Sequence, residues 1–396
     1  MTFSSHKLMQ NNFNRTDINT LVKFIKTAKI FTQNKKVEEF EKRWSKWLGV
    51  KYSIFVNSGS SANLISINIL KILRGQGGEV IVPALTWSSD ISSLLHCNFK
   101  PVFVDIDLKN LSASTEQIIK KTNKKTKAIF LTHAQGFSGF SRKLLNFIKK
   151  KKIMLIEDVC ESHGAKFNNK KLGSFGEMSN FSFYYAHHMS TIEGGMICTN
   201  NKKIYHLAKM LRSHGMAREI KDDKIENKIV NKYPELSPQF IFLYPGYNMR
   251  NTEIGAVLGI SQLKRLNQNN RKRNKNFIFF LKNLSGKHFF KEFSISGSSN
   301  YAFPVILKKQ NFKMRNTLEQ IMKRNKIEFR RGNAGGGNQL RQPYIKKIIK
   351  WVEKDFKNVE LVHHCGYYIG NFPELKKEKI LKICKILNTI DLKNEN

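Results

Sequence analysis

Five short apolar runs limit what this chain can fold into more than any other feature of its sequence. They recur about every 25 residues and are separated by helical patterns: Tyr52–Val56, Glu79–Pro83, Pro101–Asp105, Lys127–Thr132 and Ile153–Asp158. Strands that alternate with helices at this spacing are typical of a mostly parallel sheet with helices on both faces. Their apolar character suits burial on both sides of the sheet. We therefore predict an α/β fold.

Ligands of such sheets bind beyond the carboxyl ends of the strands. The turn Ser58–Ser61 follows the first run, Trp87 follows the second, and Asp158 ends the fifth. Small residues let an anion approach the backbone, and the amide groups of a turn that opens a helix bind phosphate. The Ser58–Ser61 turn precedes a predicted helix, Ala62–Leu73, so it is either an anion site or a plain N-capped helix.

The stretch Asn180–Gly195 combines a predicted strand, Asn180–Tyr184, with a polar loop and a Glu-Gly-Gly turn into another strand. The loop carries two adjacent histidines, His187 and His188. It is either part of an active site or a surface loop that happens to contain histidine. The other polar and aromatic groups expected at the same edge of the sheet favour the active site.

The composition indicates a folded protein of two or three domains, with 396 residues of which 40% are hydrophobic and 25% charged. No apolar run approaches the ~18 residues of a membrane span, and the N-terminus lacks the apolar core of a signal peptide. The five cysteines are dispersed, without the paired spacing of a metal site or a disulfide framework. We therefore expect a cytoplasmic protein without a metal or an iron–sulfur cluster.

The net charge is +39, from 69 Lys and Arg against 30 Asp and Glu. One interpretation is binding to nucleic acid or to an anionic membrane. The other is a Lys- and Asn-rich genome whose lysines are solvated on many helix faces. The basic clusters lie throughout the chain and are not interleaved with regularly spaced aromatic residues. We therefore expect neither nucleic acid nor a membrane as a partner.

The second half of the chain adds a smaller unit. A polar insert, Ile220–Leu236, is predicted to be a loop, and a long basic helix is predicted from about residue 264. A strand, Tyr301–Leu307, and two helices, Phe312–Asn325 and Lys376–Leu387, follow. We therefore predict a large domain of residues 1–263 and a small C-terminal domain of residues 264–396.

The chain resembles the sugar-nucleotide aminotransferases of the DegT family over nearly its whole length. The motifs that carry the resemblance occur in the order and spacing of the family: FEKRWSKWLGVKYSIFVNSGSSANL, PVFVDID, IEDVCESHGAKFNNKKLGSFGEMSNFSF, EGGM and GYNMRNTEIGAVLG. The resemblance implies the type I fold of PLP-dependent transferases, with a large, mostly parallel sheet of seven strands and a smaller C-terminal α/β domain. It also implies a homodimer in which both subunits contribute to each active site.

The same resemblance implies a binding site for pyridoxal phosphate (PLP). Three serines would bind its phosphate: Ser60, Ser61 and Ser182. Trp87 would stack on the pyridine ring, and Asp158 would pair with the ring nitrogen and keep it protonated.

One position departs from the family pattern. Family members bind the cofactor covalently through a lysine six residues before the Glu of the EGG turn. Counting back from Glu193 gives His187, and residues 172–201 contain no lysine. An imidazole does not form this bond, because the bond requires a primary amine. PLP would therefore be held non-covalently, with the amine form, pyridoxamine phosphate (PMP), as the resting form.

The AHH…EGG pattern and the segment Leu340–Tyr344 resemble a subgroup of 3-dehydratases that make 3-deoxysugars. These enzymes act on a 4-keto-6-deoxyhexose linked to GDP, or to CDP in a type that carries an iron–sulfur cluster. The dispersed cysteines favour the cluster-free type and GDP. We therefore expect a PMP-dependent dehydratase in which His187 is the catalytic base and L-glutamate regenerates PMP. The alternatives are an aminotransferase that makes a 4-amino sugar and a non-catalytic cofactor-binding relative.

Further residues receive roles from the resemblance or from this mechanism. Glu161, where the family commonly has Gln, would lie near the ring hydroxyl, and Asn248 would reach the cofactor phosphate of the neighbouring subunit. His188 would either donate a proton to the leaving hydroxyl or simply pack. Arg331 and Arg341 are candidates for binding the donor carboxylate or the diphosphate, because guanidinium groups match both; the alternative is that both are ordinary surface arginines.

Overall fold

The structure of the protein, a computed structural model, describes residues 5–390. The strands in this range are β1 Tyr52–Val56, β2 Glu79–Pro83, β3 Lys100–Val104, β4 Ile106–Asp107, β5 Ser112–Ala113, β6 Thr126–Thr132, β7 Met154–Asp158, β8 Lys166–Phe167, β9 Lys170–Lys171, β10 Met178–Ser182, β11 Gly195–Thr199, β12 Ala302–Ile306, β13 Phe329–Arg331 and β14 Gly366–Gly370. The α-helices are α1 Arg15–Thr27, α2 Lys35–Leu48, α3 Gly59–Arg74, α4 Ser88–His96, α5 Thr115–Lys121, α6 Arg142–Lys151, α7 Lys202–Arg212, α8 Asp223–Lys232, α9 Glu253–Asn283, α10 Phe312–Arg324, α11 Pro343–Lys346, α12 Lys357–Cys365 and α13 Lys377–Asn388.

The central sheet has seven strands in the order β1-β11-β10-β7-β6-β2-β3. Strand β11 runs antiparallel to β1 and β10, and the remaining neighbours pair in parallel. The α/β prediction is therefore confirmed. The first two predicted strands match the structure residue for residue, and the other three differ by one residue at one or both ends.

Alternating side chains of each strand enter two separate apolar cores. In β2, Val80 and Val82 pack in the core that contains Ile65 of α3, whereas Ile81 packs in the core that contains Trp44 of α2. All five side chains are buried. Burial on both faces explains why the strands read as continuous apolar runs rather than as an alternating pattern.

A second sheet of three antiparallel strands, in the order β12-β14-β13, forms the C-terminal unit. The 31-residue helix α9 leads to it from the central sheet. This helix begins at Glu253, earlier than predicted, because the side chain of Thr252 caps its N-terminus. The predicted boundary at residue 264 falls inside α9. The predicted strand and helices that follow are present, with small differences at their ends.

The prediction of a loop at Ile220–Leu236 is wrong, because the segment contains helix α8. The Asp222 side chain caps the helix by accepting from the Ile225 N–H. No residue of α8 is fully buried, and its apolar contact with the core is limited to a short stripe of Ile225 and Ile229 in an otherwise polar segment. No helix within residues 5–390 is both long enough and apolar enough to cross a membrane.

Candidate active site

A cavity of about 390 Å³ opens at the carboxyl ends of β6, β7 and β10. Six of the residues singled out from the sequence line it: Ser60, Trp87, Asp158, Glu161, Ser182 and His187. The C-terminal sheet and the segment before it close the other side with Tyr301, Arg330 and Tyr368. The carboxyl ends of the central strands thus supply one wall of the cavity, and the C-terminal sheet, which packs opposite them, supplies the other.

The N-terminus of α3 forms one end of the cavity. Ser58 caps the helix, with its Oγ accepting from the Ser61 N–H at 3.0 Å. A Cβ on Gly59 would lie 2.7 Å from the Cβ of Ser182, so only glycine fits against β10 at this point. The hydroxyls of Ser60 and Ser182 face the cavity beside the first turn of the 16-residue helix. This arrangement of hydroxyls and helical N–H groups suits a phosphate.

Asp158, the last residue of β7, presents its carboxylate to the cavity. Its Oδ1 accepts from the Cys160 N–H at 2.8 Å, and its Oδ2 lies 3.4 Å from Nδ2 of Asn63. The same Asn63 nitrogen donates to Oδ1 of Asp90 at 2.6 Å. Burial, and then the negative charge of Asp158, raise the pKa of Asp90 well above its usual value. Asp90 therefore favours its neutral form behind Asp158.

Trp87 precedes the first turn of α4 and leaves 54% of its surface exposed. Such exposure is unusual for a residue of this size, since tryptophan is highly buried on average. The side chain lines the cavity, so an aromatic surface is available there for a flat ring.

Glu161 is held by two donors at the cavity wall. Its Oε2 accepts from the Gln135 N–H at 2.8 Å, and its Oε1 accepts from the Tyr301 hydroxyl at 3.2 Å. Burial is the largest cause that raises the pKa of Glu161, to about 7, and the charge of Asp158 adds to it. Glu161 therefore titrates near neutral pH.

The substitution Glu161→Gln is expected to raise the melting temperature of the protein at pH values above 7. Because the pKa of this carboxyl is raised from 4.5 to about 7 on folding, the wild-type protein loses stability as the pH rises through that window. The amide remains neutral and still pairs with both donors, since its oxygen accepts from Gln135 and its nitrogen donates to the Tyr301 oxygen. Melting temperatures measured above pH 7 and below pH 4.5 test this, because the difference between the variant and the wild type should disappear at low pH. A variant that melts below the wild type at high pH would contradict it.

His187 lies in the loop that follows β10, which ends two residues earlier than predicted, at Ser182. The imidazole lines the cavity, and its Nδ1 is buried without a hydrogen-bond partner in the described part of the chain. The ring of Tyr301 meets it edge-on, with ring centroids 6.0 Å apart. Burial lowers the pKa of His187 to about 4, and the charge of Asp158 opposes this shift. A neutral imidazole that is ready to accept a proton therefore faces the cavity.

His188 points away from this space. It is buried, does not line the cavity, and places its Nε2 2.7 Å from the Ser299 carbonyl oxygen. Its ring stacks on His163 with centroids 5.1 Å apart. These contacts favour packing over proton donation as its role.

The predicted arginines lie outside the cavity, and a neighbouring arginine lines it. Arg341 binds the Glu360 carboxylate with Nε and Nη2, and Arg331 pairs with Glu319 at 3.2 Å. Arg330 lines the cavity and forms no ion pair within residues 5–390. Adjacent residues of a strand point to opposite faces, so Arg330 faces the cavity and Arg331 does not. Strand β13 is too short for its pattern to have distinguished the two.

Two other predicted residues are not part of the main cavity. The Ser61 hydroxyl donates to Oδ1 of Asn57 at 2.6 Å. Ser61 and Ser60 both line a smaller cavity that adjoins the main one. Asn248 is exposed and accepts from Nε of Arg250 at 3.1 Å. The tyrosines Tyr301 and Tyr368 were missed, because no local motif marks residues that reach the site from the second sheet.

The residues present fit the cofactor that the sequence implies. Hydroxyls and a helix N-terminus suit its phosphate, the Trp87 indole suits its ring, and the Asp158 carboxylate suits a protonated ring nitrogen. His187 adds a polar group to the same wall, and within residues 5–390 its Nδ1 has no hydrogen-bond partner. In that range no group of three or more His, Cys, Asp or Glu side chains is placed to hold a metal ion.

Comparisons with known proteins agree with this geometry. The model of the DegT/DnrJ/EryC1/StrS aminotransferase family matches residues 12–388. GDP-4-keto-6-deoxy-D-mannose 3-dehydratase of Escherichia coli O55:H7 is 34% identical over 87% of this chain and 89% of that protein, and the enzyme of the same name from Yersinia pseudotuberculosis is 30% identical over 96% and 97%. A crystal structure of GDP-4-keto-6-deoxymannose-3-dehydratase with a trapped PLP-glutamate geminal diamine superposes with a TM-score of 0.86 at 30% identity, covering 96% of this chain and all of the other.

Proposed function

The chain belongs to the DegT/DnrJ/EryC1/StrS aminotransferase family, and we propose that it is a PLP/PMP-dependent 3-dehydratase that acts on a nucleotide-linked 4-keto-6-deoxyhexose. The observation that carries this proposal is the His187 imidazole on the cavity wall, at the position where the family has its lysine. The similar enzymes named GDP-4-keto-6-deoxy-D-mannose 3-dehydratase support GDP over CDP as the nucleotide. The product is a 3-deoxysugar of the colitose type, as used in lipopolysaccharide.

The cofactor site comprises the residues described at the strand ends. Ser60 and Ser182 hold the phosphate at the N-terminus of α3. Ser61, the third serine proposed for the phosphate, lies in the same first turn, where its N–H and its hydroxyl donate to Ser58 and Asn57. Trp87 stacks on the ring, and Asp158 holds a proton on the ring nitrogen. When bound, PMP supplies an amine for the C4 ketone and a ring that takes up electrons.

His187 is the catalytic base in this proposal. It would take a proton at the methylene carbon of the bound cofactor and return one to the C3 hydroxyl, which would leave as water. Burial lowers the pKa of His187 to about 4, so the proton-accepting form predominates at neutral pH, and the charge of Asp158 raises the basicity of the ring toward the range that suits a general base. His188 packs behind it and keeps the loop in place. Glu161 lies beside the ring hydroxyl, where its pKa of about 7 lets it carry or release a proton.

Arg330 binds an acidic group of the substrates, either the carboxylate of L-glutamate or the diphosphate of the sugar nucleotide. The substitution Arg330→Ala is expected to raise the KM for one of these two substrates by ~10- to 100-fold, because a charge-assisted hydrogen bond contributes about 1.5–3 kcal/mol. Arg331→Ala is the matched control and should change each KM less than about twofold, since its exposed pair with Glu319 contributes little. Steady-state kinetics with each substrate varied in turn tests this. Equal effects of the two substitutions would contradict it.

We further propose a homodimer with shared active sites, in which Asn248 reaches the cofactor phosphate of the other subunit. Asn248 is exposed and lies outside the cavity of its own chain. Two nearby aromatic side chains, Phe240 and Phe242, are 60% and 56% exposed. Exposed apolar groups of this size are typical of protein contact surfaces.

We also propose that the chain divides into a large cofactor-binding domain, residues 1–263, and a small C-terminal domain, residues 264–396.

Product analysis distinguishes the proposed activity from its alternatives. The protein is incubated with PLP, L-glutamate and GDP-4-keto-6-deoxymannose, and ammonia and nucleotide-linked sugars are measured. A dehydratase releases ammonia and a 3-deoxy-4-keto sugar as glutamate becomes 2-oxoglutarate. An aminotransferase gives a 4-amino sugar without ammonia, and a non-catalytic relative gives neither product.

A further inference from the structure

Residues 5–14 form an extended strap that joins the C-terminal sheet to the loop of His187. At its start, the His6 N–H donates to the Lys326 carbonyl at 2.9 Å, and the Glu328 N–H donates to the His6 carbonyl at 2.9 Å. The buried His6 imidazole places Nε2 2.9 Å from the Gly370 carbonyl oxygen. The strap is therefore fixed to the C-terminal unit next to β13, the strand that carries Arg330.

The other end of the strap is fixed to the large unit. Arg265 of α9 donates from Nη2 to the Asn12 carbonyl at 2.8 Å and from Nη1 to the buried carboxylate of Asp17 at 2.8 Å. Asn14 caps α1 through a reciprocal pair of hydrogen bonds with Asp17. Between the two anchors, Met9 lines the active-site cavity. The strap thus crosses the site that both units form.

The Asn12 side chain contacts the loop that carries His187. Its Nδ2 donates to the His187 carbonyl at 2.9 Å and lies 3.3 Å from the Tyr185 carbonyl oxygen. Within residues 5–390, Asn12 is the side chain that hydrogen-bonds to the backbone of residues 185–187. The His187 ring itself lacks a partner at Nδ1, so its orientation depends on how its backbone is held.

We propose that Asn12 is a positioning residue, whose amide fixes the His187 backbone so that the imidazole faces the reacting atoms. This inference rests on the proposed function, because it assigns Asn12 a part in the same reaction. Since the strap is also bound to the C-terminal sheet, the placement of that sheet and the placement of the base are linked through residues 5–14. A small displacement of a reacting group lowers the rate strongly, by ~10²-fold for a shift of about 1 Å.

Asn12→Asp tests the proposal, because it keeps the shape of the side chain and replaces the donor with a carboxylate facing two carbonyl oxygens. We expect kcat to fall by ~10- to 100-fold, with the KM for the sugar nucleotide and the Kd for PMP within about twofold of the wild type. Asn11→Asp is the matched control. It makes the same charge change on an exposed side chain, whose one hydrogen bond in the described part of the chain is accepted from the Phe13 N–H; an aspartate retains that bond. This control should retain wild-type kcat.

A second readout is independent of turnover. The ¹⁵N-imidazole NMR signal of His187, assigned by its loss in His187→Asn, should shift in Asn12→Asp and in Asn12→Ala but not in Asn11→Asp. Unfolding curves and cofactor affinity establish that the variants are folded. An unmoved His187 signal in both Asn12 variants, or an unchanged kcat despite a moved signal, would overturn the proposal. If the wild-type protein forms no 3-deoxysugar, the proposed function fails, whereas the NMR signal still decides whether Asn12 orients His187.

Discussion

Replacement of His187 by asparagine is expected to lower kcat for dehydration by ~10²- to 10⁴-fold, the usual contribution of a general base. The imidazole lines the cavity, and its lowered pKa of about 4 keeps it in the accepting form. Asparagine has a similar polar reach but takes up no proton near neutral pH. PMP affinity should change little, because the groups that we propose for the cofactor lie at the strand ends and on α3. Single-turnover kinetics with PMP-loaded protein, together with a PMP titration, measures the two quantities separately.

A companion variant, His187→Lys, controls for the location of this residue. A lysine amine at the same position should bond covalently to PLP, and borohydride reduction should fix PLP to the residue as a mass increase in the tryptic peptide. Absence of the adduct would show that position 187 does not face the cofactor aldehyde. Unchanged turnover in His187→Asn would show that another group is the base.

The substitution Asp158→Asn is expected to lower kcat by ~10²- to 10³-fold, as removal of a preorganised electrostatic partner commonly does. It should also weaken cofactor binding by ~10- to 100-fold, because a hydrogen bond to a charged group contributes about 1.5–3 kcal/mol. The amide oxygen still accepts from the Cys160 N–H, so the loop after β7 should remain in place. In the proposed site, this substitution removes the anion that would keep the ring nitrogen protonated.

The pH dependence of the absorbance of the bound cofactor reports this change directly, alongside kcat and Kd. Asp107→Asn is the control, because the Asp107 side chain is exposed and accepts only from the Lys109 N–H among the described residues. An Asp158→Asn protein with unchanged spectrum and turnover would remove Asp158 from the cofactor site.

The central sheet was predictable because its strands are buried on both faces. Runs such as Glu79–Pro83 are apolar after their first residue and are bounded by polar or small residues, so sequence alone marked their bounds to within one residue. The same rule led from strand ends to Trp87 and Asp158, which do line one cavity. Helix α8 was missed because its side chains are at most partly buried, which leaves two weak signals: the Asp222 cap and the short stripe of Ile225 and Ile229.

The second wall of the site was not predictable from local patterns. Tyr301, Arg330 and Tyr368 lie on or beside the C-terminal sheet, and they reach the cavity only because that sheet packs opposite the strand ends. Whether Arg330 or Arg331 points toward the cavity depends on the orientation of β13, which has only three residues. The contact from Asn12 to the His187 carbonyl joins residues 175 positions apart, and no sequence pattern signals it.

The fate of the C3 oxygen tests the central claim most directly. GDP-4-keto-6-deoxymannose labelled with ¹⁸O at C3 is incubated with the protein, PLP and L-glutamate, and the nucleotide-linked product is analysed by mass spectrometry. Dehydration predicts a product that lacks this oxygen and retains the C4 ketone, with the label recovered in water. A 4-amino sugar that retains the ¹⁸O label would contradict the account and identify the protein as an aminotransferase.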